Sequence, residues 1–342
     1  MPMSLAGKTA IVTGAGSGIN LAFTRLLLRR QCNVVVADLA LRPEAEEVVA
    51  AHASPSRSPA RAVFQKTDVR EWPQLERMFR TATKQFGGAD IVCPGAGVYE
   101  PPFSSFWHPP GSSASHDRPD SDRYALLDIN LTHPIRTTQL AIAHFLSERR
   151  HPSSSTSSPP STNHVVHISS IAGQVTPLLA PLYNASKHGI SGFVRTLAPL
   201  DRHHGIRVTA VAPGVIDTPL WRDNPEKLRL VDEAGGDQWV SAEEVAEVMG
   251  VLVGDGGRDE IEVVKDSAPG AEGTGSSSID GQEGKGMVKI EGGLILEIGK
   301  GRVRKVEQFN DAGPKGVGNT VGNMPLVDGE ILDMLGSGTW GV

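Results

Sequence analysis

Tyr183 and Lys187 stand four residues apart in the run HISSIAGQVTPLLAPLYNASKHG. On a helix that spacing puts both side chains on one face. A free tyrosine ionises near pH 10, roughly, and is a poor base at neutral pH. A lysine ammonium beside it favours the phenolate. Such a group can take the proton of an alcohol while hydride leaves the same carbon, and can return it to a carbonyl in the reverse direction. Ser170 closes an apolar, strand-like run, so it is expected at a strand's carboxyl end, where its hydroxyl can hold a substrate oxygen. A tyrosine–lysine pair of this spacing is common on helices, and a plain surface pair is the alternative. The surrounding sequence decides between them.

A second stretch bears chemistry: TGAGSGIN, Thr13 to Asn20. Gly14, Gly16 and Gly18 permit a tight turn and close approach of a phosphate. Ser17 and Ile19 lie at the start of the helix that follows, whose unpaired N–H groups and dipole suit a pyrophosphate. Asn20 stands where a further glycine is usual, inside the first helical turn, where a short polar side chain is tolerated. Asp38 ends the next apolar run. A carboxylate there accepts both hydroxyls of an adenosine ribose and repels a 2′-phosphate. Leu39 and Ala40 bring no cation, and Arg42 is the nearest. The cofactor expected is therefore NAD, with NADP disfavoured.

These residues need a frame, and the apolar pattern supplies one. Strands are expected around Thr9–Val12, Val34–Val36, Ala62–Gln65, Ile91–Cys93, His164–Ile168 and Val208–Val211, with a further strand-like stretch over Met287–Ile298. Helices are expected over the segment after the glycine turn, Pro43–Ala51, Trp72–Phe86, Ser121–Arg149, Tyr183–Arg202 and Ala242–Val253. Strands alternating with helices predict an α/β fold, a single doubly wound parallel sheet. Residues 101–122, 151–163 and 254–286 lack any apolar period and are rich in Pro, Ser, Gly or charge. They are expected as surface loops or disordered insertions. The domain should run over residues 5–299, with 300–342 an extension of unassigned role.

Composition narrows the function classes. The chain has 342 residues, 39% of them hydrophobic, so a large core can be buried. A net charge of −6 gives no general attraction to nucleic acid. No stretch approaches the ~20 apolar residues of a membrane span, and the start of the chain does not read as a signal peptide. A cytoplasmic location is expected. Cys32 and Cys93 lie in apolar runs and read as buried thiols. The histidines show no metal-ligand spacing, so no metal is expected. Ser170 lacks the flanking glycines of a hydrolase elbow.

Taken together, the motifs resemble the short-chain dehydrogenases/reductases, a Rossmann-fold family, over about residues 5–253. Within it the YNASKHGISGF stretch is most like alcohol-oxidising members such as 15-hydroxyprostaglandin dehydrogenase. The resemblance implies that Asn130, Ser170, Tyr183 and Lys187 are catalytic. It implies that Gly14, Gly16, Ser17, Gly18, Ile19, Asp38, Asp68, Val69, Ala96, Gly97, Tyr183, Lys187, Pro213, Gly214, Val215, Ile216 and Thr218 bind the dinucleotide. It also implies that the carbonyl of Asn130 holds a water; Pro134, having no N–H, leaves that carbonyl without its helical donor. Two departures stand out. Asn20 replaces a glycine, and Pro94–Gly95 replaces a pair of asparagines that lines the adenosine pocket. Leu220–Trp239 corresponds to a substrate lid, where Trp221, Leu228, Leu230 and Trp239 suggest an apolar pocket, with core packing the equal alternative. The expected activity is oxidation of a lipophilic secondary alcohol, or reduction of a ketone, by a homodimer or homotetramer. A cofactor-binding regulator or scaffold is the alternative.

Overall fold

Apolar runs alternate with amphipathic ones along most of the chain, and they become strands and helices in a computed structural model that describes residues 5–54, 56, 58–150, 162–228, 230–264, 284–308 and 324–337. In chain order come β1 (Thr9–Thr13), α1 (Gly18–Arg29), β2 (Asn33–Asp38), α2 (Pro43–Ala51), β3 (Ala62–Lys66), α3 (Trp72–Phe86) and β4 (Ile91–Cys93). After a long connection follow α4 (Ala125–Leu127), one π-helical turn (Asp128–Thr132), α5 (His133–Arg150), β5 (Asn163–Ile168), α6 (Pro181–Thr196), α7 (Pro199–His204) and β6 (Ile206–Pro213). The remainder comprises β7 (Ile216–Asp217), α8 (Pro219–Arg222), α9 (Pro225–Leu228), β8 (Val240–Ser241), α10 (Ala242–Leu252), β9 (Glu260–Val264), β10 (Lys285–Lys289), β11 (Ile295–Gly299), β12 (Arg302–Lys305) and α11 (Met324–Ser337).

The main sheet has the order β12-β11-β6-β5-β4-β1-β2-β3. All neighbours pair in parallel except β12, which runs antiparallel to β11 at one edge. Buried on both faces, the inner strands β1, β2, β4 and β6 carry largely apolar runs, as central parallel strands must. Successive residues serve opposite faces. Val34 and Val36 pack with Phe23, Leu27, Val245 and Met249 from α1 and α10. Val35 and Ala37 pack with Leu75, Met78, Phe145 and Ile190 from α3, α5 and α6. The strand order reverses between β1 and β4, and ligands bind such sheets in the crevice at that reversal.

Several expectations need correction. The long helix expected over 121–149 starts at Ala125 and is interrupted. Pro134 cannot donate to the carbonyl of Asn130, and the ladder widens locally so that the N–H of His133 reaches the carbonyl of Asp128. The helix expected over 183–202 is two helices, because Pro199 restarts the ladder as the first residue of α7. Met287–Ile298 is not one strand. Gly293, at φ +85°, breaks it, sending β10 to an antiparallel pair with β9 and β11 into the main sheet. The expected insertion at 254–286 thus contributes β9 and the first residues of β10, while 265–283 and 151–161 lie outside the described residues. Beyond residue 300 the chain adds β12 to the sheet and α11 against α7, with His204 Nε2 3.1 Å from the Leu332 carbonyl.

Three histidines that composition left unremarked, His133, His164 and His167, are buried in this frame. Nδ1 of His133 is 3.0 Å from the Ile129 carbonyl and therefore carries the proton; its Nε2 accepts from the Thr13 hydroxyl at 3.1 Å. Desolvation pushes His133 down to about 4, and His164 and His167 to about 3. All three lie below the ordinary value, so the unfolded chain takes up these protons first. The stability they support is complete well above about pH 6.5 and is lost progressively as the pH falls from there to the folded values. Each should cost roughly 1.4 kcal/mol by about pH 5.5. Urea midpoints measured from about pH 7.5 to about pH 5 should fall steeply, and His167→Gln should flatten the slope; a flat profile would refute buried neutral rings.

Candidate active site

A cavity of about 1050 Å³ opens along the crevice. One end is the glycine turn after β1. Gly14 and Gly18 have φ of +70° and +56°, which L side chains rarely adopt. A Cβ on Gly16 would lie 2.5 Å from the Ala40 carbonyl oxygen, so only glycine fits there. Ser17 caps α1 without a side-chain hydrogen bond, which leaves the first N–H groups of the helix to another acceptor. Asp38 takes the Gly16 N–H at 2.8 Å on one oxygen and the Leu39 N–H at 2.7 Å on the other. Asp68 and Val69 also line this end, with the Arg70 guanidinium holding the Asp68 carboxyl below the usual carboxylate range. A cradle of glycines, open helical N–H groups and a carboxylate at the second strand's end fits a nucleotide pyrophosphate and ribose.

The other end belongs to β5, α6 and the segment after β6. Ser170, Tyr183 and Lys187 all line the cavity, as do Pro213, Gly214, Val215, Ile216 and Thr218. A Cβ on Gly18 would lie 3.4 Å from Thr218 Cγ2, so this segment closes against the glycine turn. The Lys187 ammonium is buried, donates to the Ile168 carbonyl at 2.9 Å, and lies 5.4 Å from the Tyr183 ring centre. Burial pushes this amine down to about 8. Burial likewise pushes the Tyr183 phenol up to about 12, opposed by a hydrogen bond with Ser170. Sequence spacing predicts that the lysine lowers the phenol. In this arrangement desolvation outweighs it, and the contact that favours the phenolate is the serine. The Ser170 oxygen already accepts the Ala172 N–H at 3.1 Å, which leaves its own proton for the phenol.

Asn130 is brought close but stands behind the wall. Its Oδ1 accepts the Val98 N–H at 2.9 Å and its Nδ2 donates to the Val98 carbonyl at 2.8 Å, so it holds the 94–99 segment like a neighbouring strand. Ala96 and Gly97 of that segment line the cavity.

A family model described as short chain dehydrogenase matches residues 8–229. The chain belongs to the short-chain dehydrogenase family. It is 32% identical to cis-4-hydroxycyclohexanecarboxylate dehydrogenase of Sinomonas cyclohexanicum, over 75% of this chain and 92% of that protein. It is 31% identical to bovine (Bos taurus) 15-hydroxyprostaglandin dehydrogenase [NAD(+)], over 64% of this chain and 71% of the relative. Levodione reductase shares the fold, with a TM-score of 0.57 at 24% identity over 73% of this chain and 92% of the reductase.

Sequence reasoning missed part of the wall of this dehydrogenase. Residues 101–122, expected as a surface loop or disordered insertion, form a hydrogen-bonded loop. Ser104 donates to Asp117 at 2.7 Å, and Asp117 accepts the N–H of Ala125 at the start of α4. Both side chains are buried although the stretch has no apolar period. Phe103 and His116 of this loop line the cavity. Tyr99 packs edge-on to Tyr183 with ring centres 4.7 Å apart, and Trp221 stacks with the Tyr99 ring at 5.8 Å. Of the expected lid residues, Trp221 and Leu230 face the cavity, Trp239 packs edge-on against Trp221, and Leu228 is exposed.

Glu100 joins loop to helix. One carboxylate oxygen accepts the Tyr183 N–H at 2.9 Å, in the first turn of α6; the other accepts the Phe106 N–H at 3.0 Å. A glutamate at φ +30° signalled nothing in the sequence, since the backbone strain appears only once the loop is closed. Glu100→Ala should cost about 2 kcal/mol in urea unfolding, because charge-assisted bonds to two backbone donors are lost. It should also speed protease cleavage within 101–122. Wild-type stability and cleavage would show that the carboxylate is not a tie.

Proposed function

We propose that this short-chain dehydrogenase is an NAD-dependent oxidoreductase that interconverts a secondary alcohol and a ketone, with Tyr183 as general acid and base. The observation that carries the reading is the placement of Tyr183, Ser170 and Lys187 on the wall of one cavity whose far end is the glycine cradle. The N–H groups of the first turn of α1 would hold the pyrophosphate, Asp38 the adenosine ribose, and Thr218 with Val215 and Ile216 the nicotinamide end. Bound there, the cofactor supplies a hydride acceptor, or a donor when reduced. Ser170 orients the substrate oxygen. In oxidation, Tyr183 as phenolate takes the hydroxyl proton, and the carbon–hydrogen bond breaks as the carbonyl forms. In reduction, the phenol returns that proton. Lys187 holds positive charge beside the phenol, tied to β5 by the Ile168 carbonyl, and Asn130 fixes the segment opposite. A water held by the Asn130 carbonyl, as the family resemblance implies, would pass protons between Lys187 and solvent.

NAD is favoured over NADP by charge. Asp38 faces the ribose end, Arg42 is paired with Asp223, and Arg70 is paired with Asp68. The bovine relative carries NAD(+) in its name. The substrate end of the cavity is walled by Tyr99, Phe103, Val175, Leu179, Trp221 and Leu230. Such walls favour a lipophilic alcohol or ketone.

Two measurements test the reading. Tyr183→Phe should lower turnover by a factor of about 10² to 10⁴ or more while leaving NADH binding intact. Because oxidation needs the phenolate and reduction the phenol, the oxidation rate should rise with pH and the reduction rate fall. Undiminished turnover in Tyr183→Phe would sink the assignment. Asp38→Asn keeps an acceptor for the Gly16 N–H but removes the charge, so the kcat/KM preference for NAD over NADP should narrow about tenfold. An unchanged ratio would place the discrimination elsewhere.

A further inference from the structure

The two departures from the family pattern meet in space. Asn20 lies in the first turn of α1, and Gly95 lies just after β4, across the cavity floor. The Asn20 side chain is 8% exposed and both of its ends are committed. Nδ2 donates to the Gly95 carbonyl at 2.9 Å, and Oδ1 faces the Cys93 sulfur at 3.7 Å. Burial raises the Cys93 thiol, so it stays protonated and can only donate to that oxygen. The two partners thus fix one orientation of the carboxamide.

The volume used is the one a side chain at position 95 would need. A Cβ on Gly95 would overlap Asn20 Oδ1 and lie 2.7 Å from its Cγ. Gly95 does not have a left-handed φ, so the backbone itself would accept alanine. What excludes a side chain there is Asn20. The same amide nitrogen lies 3.0 Å from where a Cβ of Gly14 would stand. Asn20, Gly14 and Gly95 all line the cavity. On the other side of the segment, the Ala96 N–H donates to the Thr13 hydroxyl at 3.2 Å.

From this geometry we infer that Asn20 is a positioning residue for the dinucleotide: its carboxamide, reaching from α1, occupies the space emptied at Gly95 and pins the 94–97 segment against the glycine turn. The helix opposite thus supplies a polar side chain to a segment that has none of its own at Gly95. An asparagine at 20 excludes a side chain at 95, whereas a glycine at 20 leaves room for one. The inference rests on the reading that this cavity binds NAD.

A double-mutant cycle tests it, with NADH binding followed by ligand fluorescence and folding by thermal unfolding. Asn20→Gly alone should weaken NADH binding a few-fold through loss of the pin. Gly95→Ala alone should weaken it about tenfold, because the displaced carboxamide disturbs the floor. The combined Asn20→Gly, Gly95→Ala protein should bind within about threefold of Asn20→Gly, and its unfolding temperature should recover in parallel. In steady state the losses should fall on KM for NAD rather than on kcat. Independent effects, with the double variant as weak as the product of the two singles, would overturn the inference, as would wild-type affinity in both singles. If the wild-type protein bound no dinucleotide, the functional reading would fall with it; if it bound well but the two sites did not couple, only the inference would fall.

Discussion

A lysine ammonium taken out of water must find an acceptor, and Lys187 finds the carbonyl of Ile168 at 2.9 Å. That one bond joins the middle of α6 to the carboxyl end of β5. It sets how far the helix can slide along the sheet. With Lys187 held there, Tyr183 falls one turn earlier, over Ser170, which lies just beyond the strand. Ser169 adds a second tie at the same level, its hydroxyl donating to the Lys187 carbonyl at 3.2 Å and meeting Ser191 at 2.8 Å. Gly173 allows the approach, since a Cβ there would lie 2.9 Å from the Lys187 carbonyl oxygen. The phenol is thus placed by bonds to backbone and by close packing, which tolerate little drift.

The crevice itself comes from topology. Reversal of strand order between β1 and β4 parts the two following segments, and each is then held from a different side. The glycine turn is fixed by Asp38 through the Gly16 N–H. The 94–99 segment is fixed at Gly95 by Asn20, at Ala96 by Thr13, and at Val98 by Asn130. Every one of these partners is a short polar side chain satisfying a main-chain group, as buried backbone requires. Thr13 continues into His133, whose ring is held in one tautomer by the Ile129 carbonyl.

Above the crevice, polar groups and enclosure are divided between elements. The sheet and α6 carry the polar groups, while the 101–122 loop and the segment after β7 bring aromatic and aliphatic walls. Tyr99 sits where they meet, in ring contact with both Tyr183 and Trp221. Its ring excludes water from one side of the phenol, and the same desolvation that raises the Tyr183 pKa comes from such packing.

Much of this was legible from sequence because it depends on local rules. Apolar runs of strand length and amphipathic runs of helix length specify their elements through period alone, and the glycine turn, Asp38, Ser170, Tyr183 and Lys187 are recognised by type and spacing. Three things depended on contacts between distant parts of the chain. The balance of forces on Tyr183 escapes the sequence, because spacing reveals a charged neighbour but not the burial that opposes it. The 101–122 loop hides its order in Ser104, Asp117 and Glu100, polar residues whose partners lie elsewhere along the chain. Asn20 and Gly95 look in the sequence like two separate losses. Only the tertiary structure shows them sharing one volume, since steric exclusion between residues so far apart in the chain leaves no periodic trace in either stretch.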